Sequence, residues 1–293
     1  MKRFVTVVAG VTTASISFSL ASILIRYSLA LGAEPIPLAA WRLLTASLLT
    51  LALLRFLKIS SEISFKPSVL ILTAIGGLLF GLHMSLWNIS LSMTSVAVAA
   101  TIVNSYPVVM VLADNVIFKT NIAFRQYLGL AVSLVAITAL TITLDRGSED
   151  PRGALLAFIS MLGVAGYLII GKLLRGSMSA LEYTFYAYLI GGLVALMLSA
   201  VLFSNVFIPL ETVPLVLLLV IFPTLLGHTI INALARITSL TVASIPPLLE
   251  PAGASLLAWA LLGETISPFR ILAVILAICG TALIVSVERK QEF

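Results

Sequence analysis

The sequence predicts an all-α integral membrane protein: ten transmembrane helices arranged as two inverted five-helix repeats. Three observations carry that prediction. Of 293 residues, 60% are hydrophobic and only 10% charged, against roughly 45–50% and roughly 25% in soluble globular domains. The apolar residues fall in continuous runs of about 20, the length that crosses a hydrocarbon core of about 30 Å, and do not alternate with polar ones as in a membrane barrel. Finally, the stretch from Trp87-Asn88-Ile89-Ser90 through Thr94-Ser95-Val96-Ala97-Val98-Ala99 to Tyr106-Pro107 recurs at an offset of 144 residues as Ile231-Asn232-Ala233-Leu234 through Thr238-Ser239-Leu240-Thr241-Val242-Ala243 to Glu250-Pro251. With an odd number of spans per copy, the second copy enters the bilayer upside down, the arrangement found in secondary transporters.

The apolar runs place spans at 4–31, 37–57, 69–90, 95–118, 124–144, 153–175, 181–202, 213–235, 242–262 and 269–287. The first extends from Phe4 well past the roughly 7–15 residues of a signal-peptide core, with no small-residue cleavage pattern, and reads as a retained helix. Between spans 5 and 6 lies the one clearly polar connection, residues 145–152, which divides the chain into a first repeat, 1–146, and a second, 147–293. The other connections are too short for a soluble domain or a catalytic insert. The last span has a readable start in Ser267-Pro268, a capping hydroxyl followed by proline at the first helical position, and Gly263-Glu264 makes the turn before it.

The net charge of +5 comes from basic residues spread singly along the chain, which argues against a nucleic-acid partner. Their distribution instead sets topology. With the amino terminus cytoplasmic, the inner segments hold Lys2, Arg3, Arg55, Lys58, Lys66, Lys119, Arg125, Lys172, Arg175, Arg236, Arg289 and Lys290, and the outer ones only Arg146, Arg152 and Arg270. That asymmetry puts both termini in the cytoplasm of a multi-pass protein of the cell membrane. The single cysteine, Cys279, falls inside the last span; it allows no intrachain disulfide and is expected to be a packing residue.

Ionisable groups inside a bilayer are costly and mark function by default. Counting about 1.5 Å per residue from Val242 puts Glu250 roughly 12 Å into its span, near the midplane. There it can carry a proton, balance an amine, or stay locked to Arg26, Arg42 or His228. Pro251 follows it and Pro246-Pro247 precede it, while Pro107 follows Tyr106 in the first repeat. Prolines bend a helix and free its carbonyls, and paired breaks at matching positions point to a binding site between gates; plain packing kinks are the alternative. Asn88 and Asn232 form a second matched pair. His228, Asn232 and Arg236 share one helix face, as do His83 and Trp87, with Asn88 at its edge. Asn104 and Tyr106 join this set of polar and aromatic groups that either hold a solute or hydrogen-bond between helices.

Thr12, Ser15, Ser19, Ser22 and Arg26 make one polar stripe on the first span, a close-packing seam or a solute path. Arg26 and Arg42 lie at similar depths and either make an outer mouth positive or snorkel to headgroups. Lys172 is the approximate counterpart of Arg26 at the inner end of span 6. Asp114, near the inner end of span 4, reaches water or pairs with Lys119. Tyr167, Gly163 and Gly171 share a face, with Tyr167 lining a cavity or filling an interface.

An arginine early in the second span (Arg42), a proline inside the fourth helix of each repeat, and Gly263-Glu264 closing the second of these together resemble the drug/metabolite transporter superfamily, in its ten-helix, two-repeat EamA-type branch. The resemblance covers nearly the whole chain. It departs at Lys119-Thr120, the positions equivalent to Gly263-Glu264, so the acidic residue is present in one repeat only. The resemblance implies export or exchange of small metabolites such as amino acids, or of drugs, through a central cavity reached alternately from each side. The two repeats would rock about that cavity, with Pro107, Pro246, Pro247 and Pro251 at the gates and Glu250, Arg26 and Arg42 as coupling charges.

No Walker-type glycine-lysine run occurs, so solute or ion gradients, protons among them, are the expected energy source. No cofactor or metal is expected; a small-molecule substrate and membrane lipid are the expected partners. A lipid flippase or a passive channel fits the same architecture. A membrane-embedded enzyme fits poorly, for there is no His-Glu-x-x-His, Gly-x-Ser-x-Gly or paired aspartate set. A reporter fused after Phe293 is expected to read cytoplasmic; a reading on the opposite side would overturn the helix count.

Overall fold

The structure, a computed structural model, describes residues 2–59, 66–94, 96–142, 150–202, 206–250, 252–253, 256–257 and 268–287, and every regular element among them is helical. Seven helices are long and apolar enough to cross a bilayer, and three shorter apolar ones accompany them. In chain order these are α1 (Lys2–Phe18, then Ala21–Ala30), α2 (Pro35–Phe56), α3 (Pro67–Met93), α4 (Val96–Val103, then Pro107–Val116), α5 (Phe124–Ile142), α6 (Pro151–Leu173), α7 (Ala180–Leu202), α8 (Leu210–Ile237), α9 (Leu240–Leu249) and α10 (Pro268–Ser286). They follow the expected spans, but α1 and α4 are each in two pieces and α8 and α9 are irregular. The proposed seam at 146–147, Pro251, the Gly263-Glu264 turn and Ser267 lie outside the described residues.

Local chemistry explains the helix ends. Proline begins α2, α3, α6, α10 and the second piece of α4, where its fixed φ suits the first turn and its missing N–H leaves nothing unpaired. Asp150 caps α6 by accepting from the Arg152 backbone N–H at 2.8 Å, and hydrogen bonds from the Arg152 side chain hold its carboxyl below the usual carboxylate range. Gly32, at φ +88°, turns the chain out of α1 while the Ala33 N–H reaches back to the Ser28 carbonyl at 3.0 Å, a left-handed cap that glycine makes without strain.

Contacts between equivalent helices establish the inversion. The Ser133 hydroxyl of α5 donates to the Ala277 carbonyl of α10 at 3.4 Å across a separation of 144 residues, the same offset that relates the two repeats. Ser133 thus touches its own counterpart, which only a pseudo-two-fold axis through that contact allows. Gly129, one turn earlier in α5, meets Gly280 and Ile284, later in α10, so the two helices run antiparallel. Likewise Asp114, late in α4, bonds Leu240 and Thr241 at the start of α9, while Asn104, earlier in α4, adjoins Glu250 beyond its end. The axis therefore lies in the membrane plane.

The most extensive interfaces, α3 with α6, α2 with α7, α5 with α10 and α3 with α7, all join one repeat to the other. Lipid tails are as apolar as leucine, so close backbone contact must hold such helices together. Between α3 and α7 this goes to the limit: a Cβ added to Gly81 would stand 2.6 Å from the Gly191 carbonyl oxygen. Large side chains such as Leu48, Val135, Met197 and Ile275 point outward. Cys279 is exposed among them, so the expectation that it packs inside is corrected; its neighbour toward α5 is Gly280, and the α5 side of α10 is too tight for more than a glycine there.

Asp114 also differs from expectation. It is fully buried and paired with Lys172, not Lys119 or water. Its carboxylate accepts from the backbone N–H groups of Leu240 and Thr241 at 3.0 and 2.7 Å and from the Thr241 hydroxyl at 2.7 Å. The Lys172 ammonium stands at 3.5 Å and donates to the Thr238 carbonyl at 2.8 Å. One carboxylate thereby satisfies the bare amides at the start of α9 and clamps α4, α6 and α9 at the face carrying the chain termini. Asp114→Asn is expected to lower stability by about 3–5 kcal/mol by stranding Lys172, seen as a lower melting temperature that Lys172→Met partly restores. Gly81→Val is expected to cost about 1–3 kcal/mol through overpacking; an unchanged melting temperature would show that the α3–α7 contact is dispensable.

Candidate functional site

Four helices are interrupted, and each interruption has a local cause. In α4, Pro107 has no N–H for the Val103 carbonyl, and the Tyr106 N–H takes it instead at 3.3 Å. In α9, Pro246 does the same to Val242, whose carbonyl accepts from Ile245 at 3.3 Å, and residues Pro246–Leu249 tighten into a 3₁₀ turn. In α8, Pro223 deprives the Leu219 carbonyl of its donor. The Thr224 hydroxyl supplies one at 2.8 Å, and the helix widens to a π-helix over Val220–Thr229, a form frequent at functional sites. In α1 there is no proline; the hydroxyls of Ser15, Ser17 and Ser19 each bond the carbonyl four residues back, at 2.8–2.9 Å, which loosens the ladder before the break at Ser19–Leu20.

These interruptions surround a pair of buried opposite charges. Arg42 of α2 is 1% exposed and its Nε donates to the Thr224 hydroxyl at 2.8 Å. No group among the described residues bonds its Nη1 or Nη2, while Glu250 and Tyr188 lie within electrostatic reach. The Glu250 carboxyl, 2% exposed, accepts from the Ser22 hydroxyl just past the α1 break. Asn104, at the α4 break, adjoins it, and Tyr106, whose hydroxyl bonds no group among the described residues, lies within electrostatic reach.

Beside the charges stands an aromatic cluster. The Phe80 ring lies 4.2 Å from Tyr167, 4.9 Å from His228, 5.5 Å from Tyr188 and 5.8 Å from His83. His83 in turn stacks on Trp87 at 6.0 Å, and Tyr167 on Tyr183 at 5.3 Å. The Ser160 hydroxyl donates to the His83 carbonyl at 2.9 Å and therefore accepts from His83 Nδ1 at 2.9 Å, which sets the tautomer. Neither ring nitrogen of His228, nor Trp87 Nε1, bonds a protein group. A guanidinium, a carboxyl and a wall of rings can together receive a carboxylate, an amine and an apolar or aromatic body.

Of the residues singled out in the sequence, His83, Trp87, Asn104, Tyr106, Tyr167, His228, Asn232 and Glu250 are buried around this centre. Asn232 donates to the Tyr167 hydroxyl at 2.7 Å and to the His228 carbonyl at 3.0 Å. Asn88 is directed elsewhere: its amide donates to the Pro35 carbonyl at 3.0 Å and holds the start of α2. Arg26 and Arg42, alike in depth along their spans, differ in setting: Arg26 is exposed, while Arg42 is buried and donates to Thr224. On α1, Ser15 and Ser19 are spent on their own backbone, and Ser19 packs so tightly on Gly253 that a Cβ there would collide. Ser22 is the serine of the stripe that reaches the centre, through Glu250. Phe80, Tyr183, Tyr188, Thr224 and Ser160 were not anticipated. Pro223 inside an apolar run signals Thr224, and the run of tyrosines opening α7 signals Tyr183 and Tyr188; Phe80 and Ser160 look like ordinary membrane-helix residues.

The EamA-like transporter family model matches residues 6–142 and again 151–286, one match per repeat. A protein of Chlamydia trachomatis serovar L2 named S-adenosylmethionine/S-adenosylhomocysteine transporter is 29% identical over 245 residues, 78% of this chain and 74% of its own length. A protein of the same name from Chlamydia muridarum is 28% identical over 281 residues, 89% of this chain and 86% of its own. A crystal structure superposes with a TM-score of 0.79 over 97% of this chain and 98% of that one, at 16% identity, a likeness of fold alone. By two family matches that span both halves, the chain belongs to the EamA-like transporter family of the drug/metabolite transporter superfamily: it is a multi-pass membrane transporter of small molecules and not an enzyme.

Proposed function

We propose that the chain is a secondary transporter in the cytoplasmic membrane, both termini inside, that exports or exchanges amphipathic amino acids and amino-acid derivatives by alternating access. One observation carries this reading: Arg42, buried with two donors that no group among the described residues bonds, lies within electrostatic reach of Glu250 and beside the Phe80–Tyr167–Tyr188 cluster. The guanidinium takes the α-carboxylate in a bidentate pair, Glu250 takes the α-amine or a proton, and the rings take the side chain. The name of the chlamydial relatives agrees with this class, since an S-adenosyl amino acid combines a zwitterion with an aromatic base.

Alternation proceeds through the breaks in α1, α4, α8 and α9. Rocking of one whole repeat, 1–146, against the other, 147–293, would part the tight α3–α7 and α5–α10 contacts. Moving half-helices about Ser19–Leu20 and Asn104–Tyr106 leaves them intact. A flippase is the second reading, favoured by a groove of about 540 Å³ between α1, α9 and α10, lined by Val11, Ser15, Ser19 and Leu249. It would admit an acyl chain from the bilayer.

The deciding experiment is uptake of a labelled panel of amino acids, S-adenosylmethionine and S-adenosylhomocysteine into proteoliposomes, with and without a pH gradient, beside a fluorescent-lipid flip assay. Saturable solute uptake without lipid flipping supports the carrier; the reverse pattern supports the flippase. Arg42→Gln is expected to raise KM about tenfold or more for solutes bearing a carboxylate, the loss of a charge-assisted hydrogen-bond pair, and to spare any that lack it. Glu250→Gln is expected to abolish net transport and its response to a pH gradient with insertion unchanged; wild-type flux in that variant would make Glu250 structural.

A further inference from the structure

A second cavity, of about 250 Å³, opens at the face carrying the chain termini, and its walls include Arg3, Lys172, Arg175 and Arg236. Four cations from the start of α1 and the ends of α6 and α8 thus share one hollow. Two carboxylates act on them among the described residues. Asp114 reaches Lys172 while bound to the start of α9. Glu182 acts on Arg236 from a distance while accepting from the Ser179 N–H at 2.7 Å.

Cations at a helix C-terminus are commonly there to serve the last carbonyls. That accounts for Arg3, which donates to Ile237 at 2.5 Å, and for Lys172 on Thr238. It does not account for Arg175, nor for Arg236: its Nη1 donates to the Met178 carbonyl, yet no protein group bonds its buried Nε and Nη2. Arg236 also starts the α8 face that continues through Asn232 to His228, one helical turn at a time, and so joins this cavity to the central cluster.

We propose that this cavity is an anion-binding subsite for a carboxylate or phosphate-type oxyanion, held by Arg175, Arg236 and Lys172. Its volume holds an oxyanion with its first waters, each water occupying about 30 Å³. Lys172 is shared with the clamp: its 3.5 Å approach to Asp114 is long for a charge-assisted hydrogen bond, so an arriving oxyanion competes for it. Occupancy therefore loosens the α4–α6–α9 closure on the side from which the anion came. The proposal extends the carrier reading above, since it places a docking point for a carboxylate on the way to Arg42.

The test is a binding measurement. Purified full-length protein is titrated with sodium sulfate, and with sodium chloride at equal ionic strength, while its melting temperature is followed. The expected result is a saturable rise with sulfate only, its half-saturating concentration raised about tenfold or more, roughly 1.4 kcal/mol, in Arg175→Gln/Arg236→Gln and largely kept in the folded control Arg175→Lys/Arg236→Lys. Repetition in nanodiscs separates the sources. A response kept in both phosphatidylcholine and phosphatidylglycerol supports a soluble anion; one lost in phosphatidylglycerol alone supports the subsite with a lipid headgroup as occupant. Equal responses to sulfate and chloride, or an unaltered sulfate response in the Gln variant, would overturn the subsite. Specific sulfate binding in a protein that moves no member of the solute panel would keep the subsite and remove the carrier reading.

Discussion

Hydrocarbon offers the backbone no hydrogen bonds, so every amide and carbonyl released by a helix break must be satisfied from within the protein. This constraint organises the centre of the molecule. Pro107, Pro223 and Pro246 each release a carbonyl, and a neighbouring N–H or hydroxyl takes it up. Thr224 links the repair to the buried charges: its hydroxyl donates to Leu219 to mend α8 and accepts from Arg42. The backbone defect thus positions the guanidinium. Tyr188, whose hydroxyl bonds the Thr224 carbonyl at 3.1 Å, braces the same turn.

The fold is nearly two-fold, yet its centre is not. At the offset of 144 residues Glu250 corresponds to Tyr106, Arg42 to Tyr186, His83 to Gly227 and His228 to Met84. Duplication supplied the scaffold and the matched breaks, and divergence left one carboxyl and one guanidinium to face each other. A symmetric centre would hold two like charges in each role, and desolvated like charges repel strongly. The α1 break likewise has no partner, since the equivalent α6 runs unbroken from Pro151 to Leu173. The asymmetry leaves the guanidinium on the α2 and α8 side of the centre and the carboxyl at the end of α9.

The terminal face carries a buried polar closure, with Asp114 and Lys172 joined by charge and Asp114 joined to the start of α9 by three hydrogen bonds. Its cost and its benefit have one origin: a buried carboxylate is stable only while its partners stay in place, so any motion that withdraws Lys172 destabilises the closed arrangement. Meanwhile the tight contacts of α3 with α7 and of α5 with α10 bind the repeats to each other. Glycine-lined crossings thus join the repeats, while the four helix breaks lie around the buried charges.

The sequence by itself determined the membrane class, the span count, the duplication and its inversion, because hydropathy, run length and a fixed offset are properties of the chain in one dimension. It also disclosed Glu250, Asn232, Tyr106 and the proline breaks, for a carboxyl or proline in an apolar run stands out without any fold. Only the tertiary structure decided which charges meet. Arg26 and Arg42 look alike by depth, yet one faces outward and the other meets Thr224; Lys119 is the nearer lysine to Asp114 along the chain, yet Lys172 pairs with it. Depth is set by counting residues, whereas facing is set by the rotation of each helix and by the neighbour that packing brings, and neither can be read from a single span.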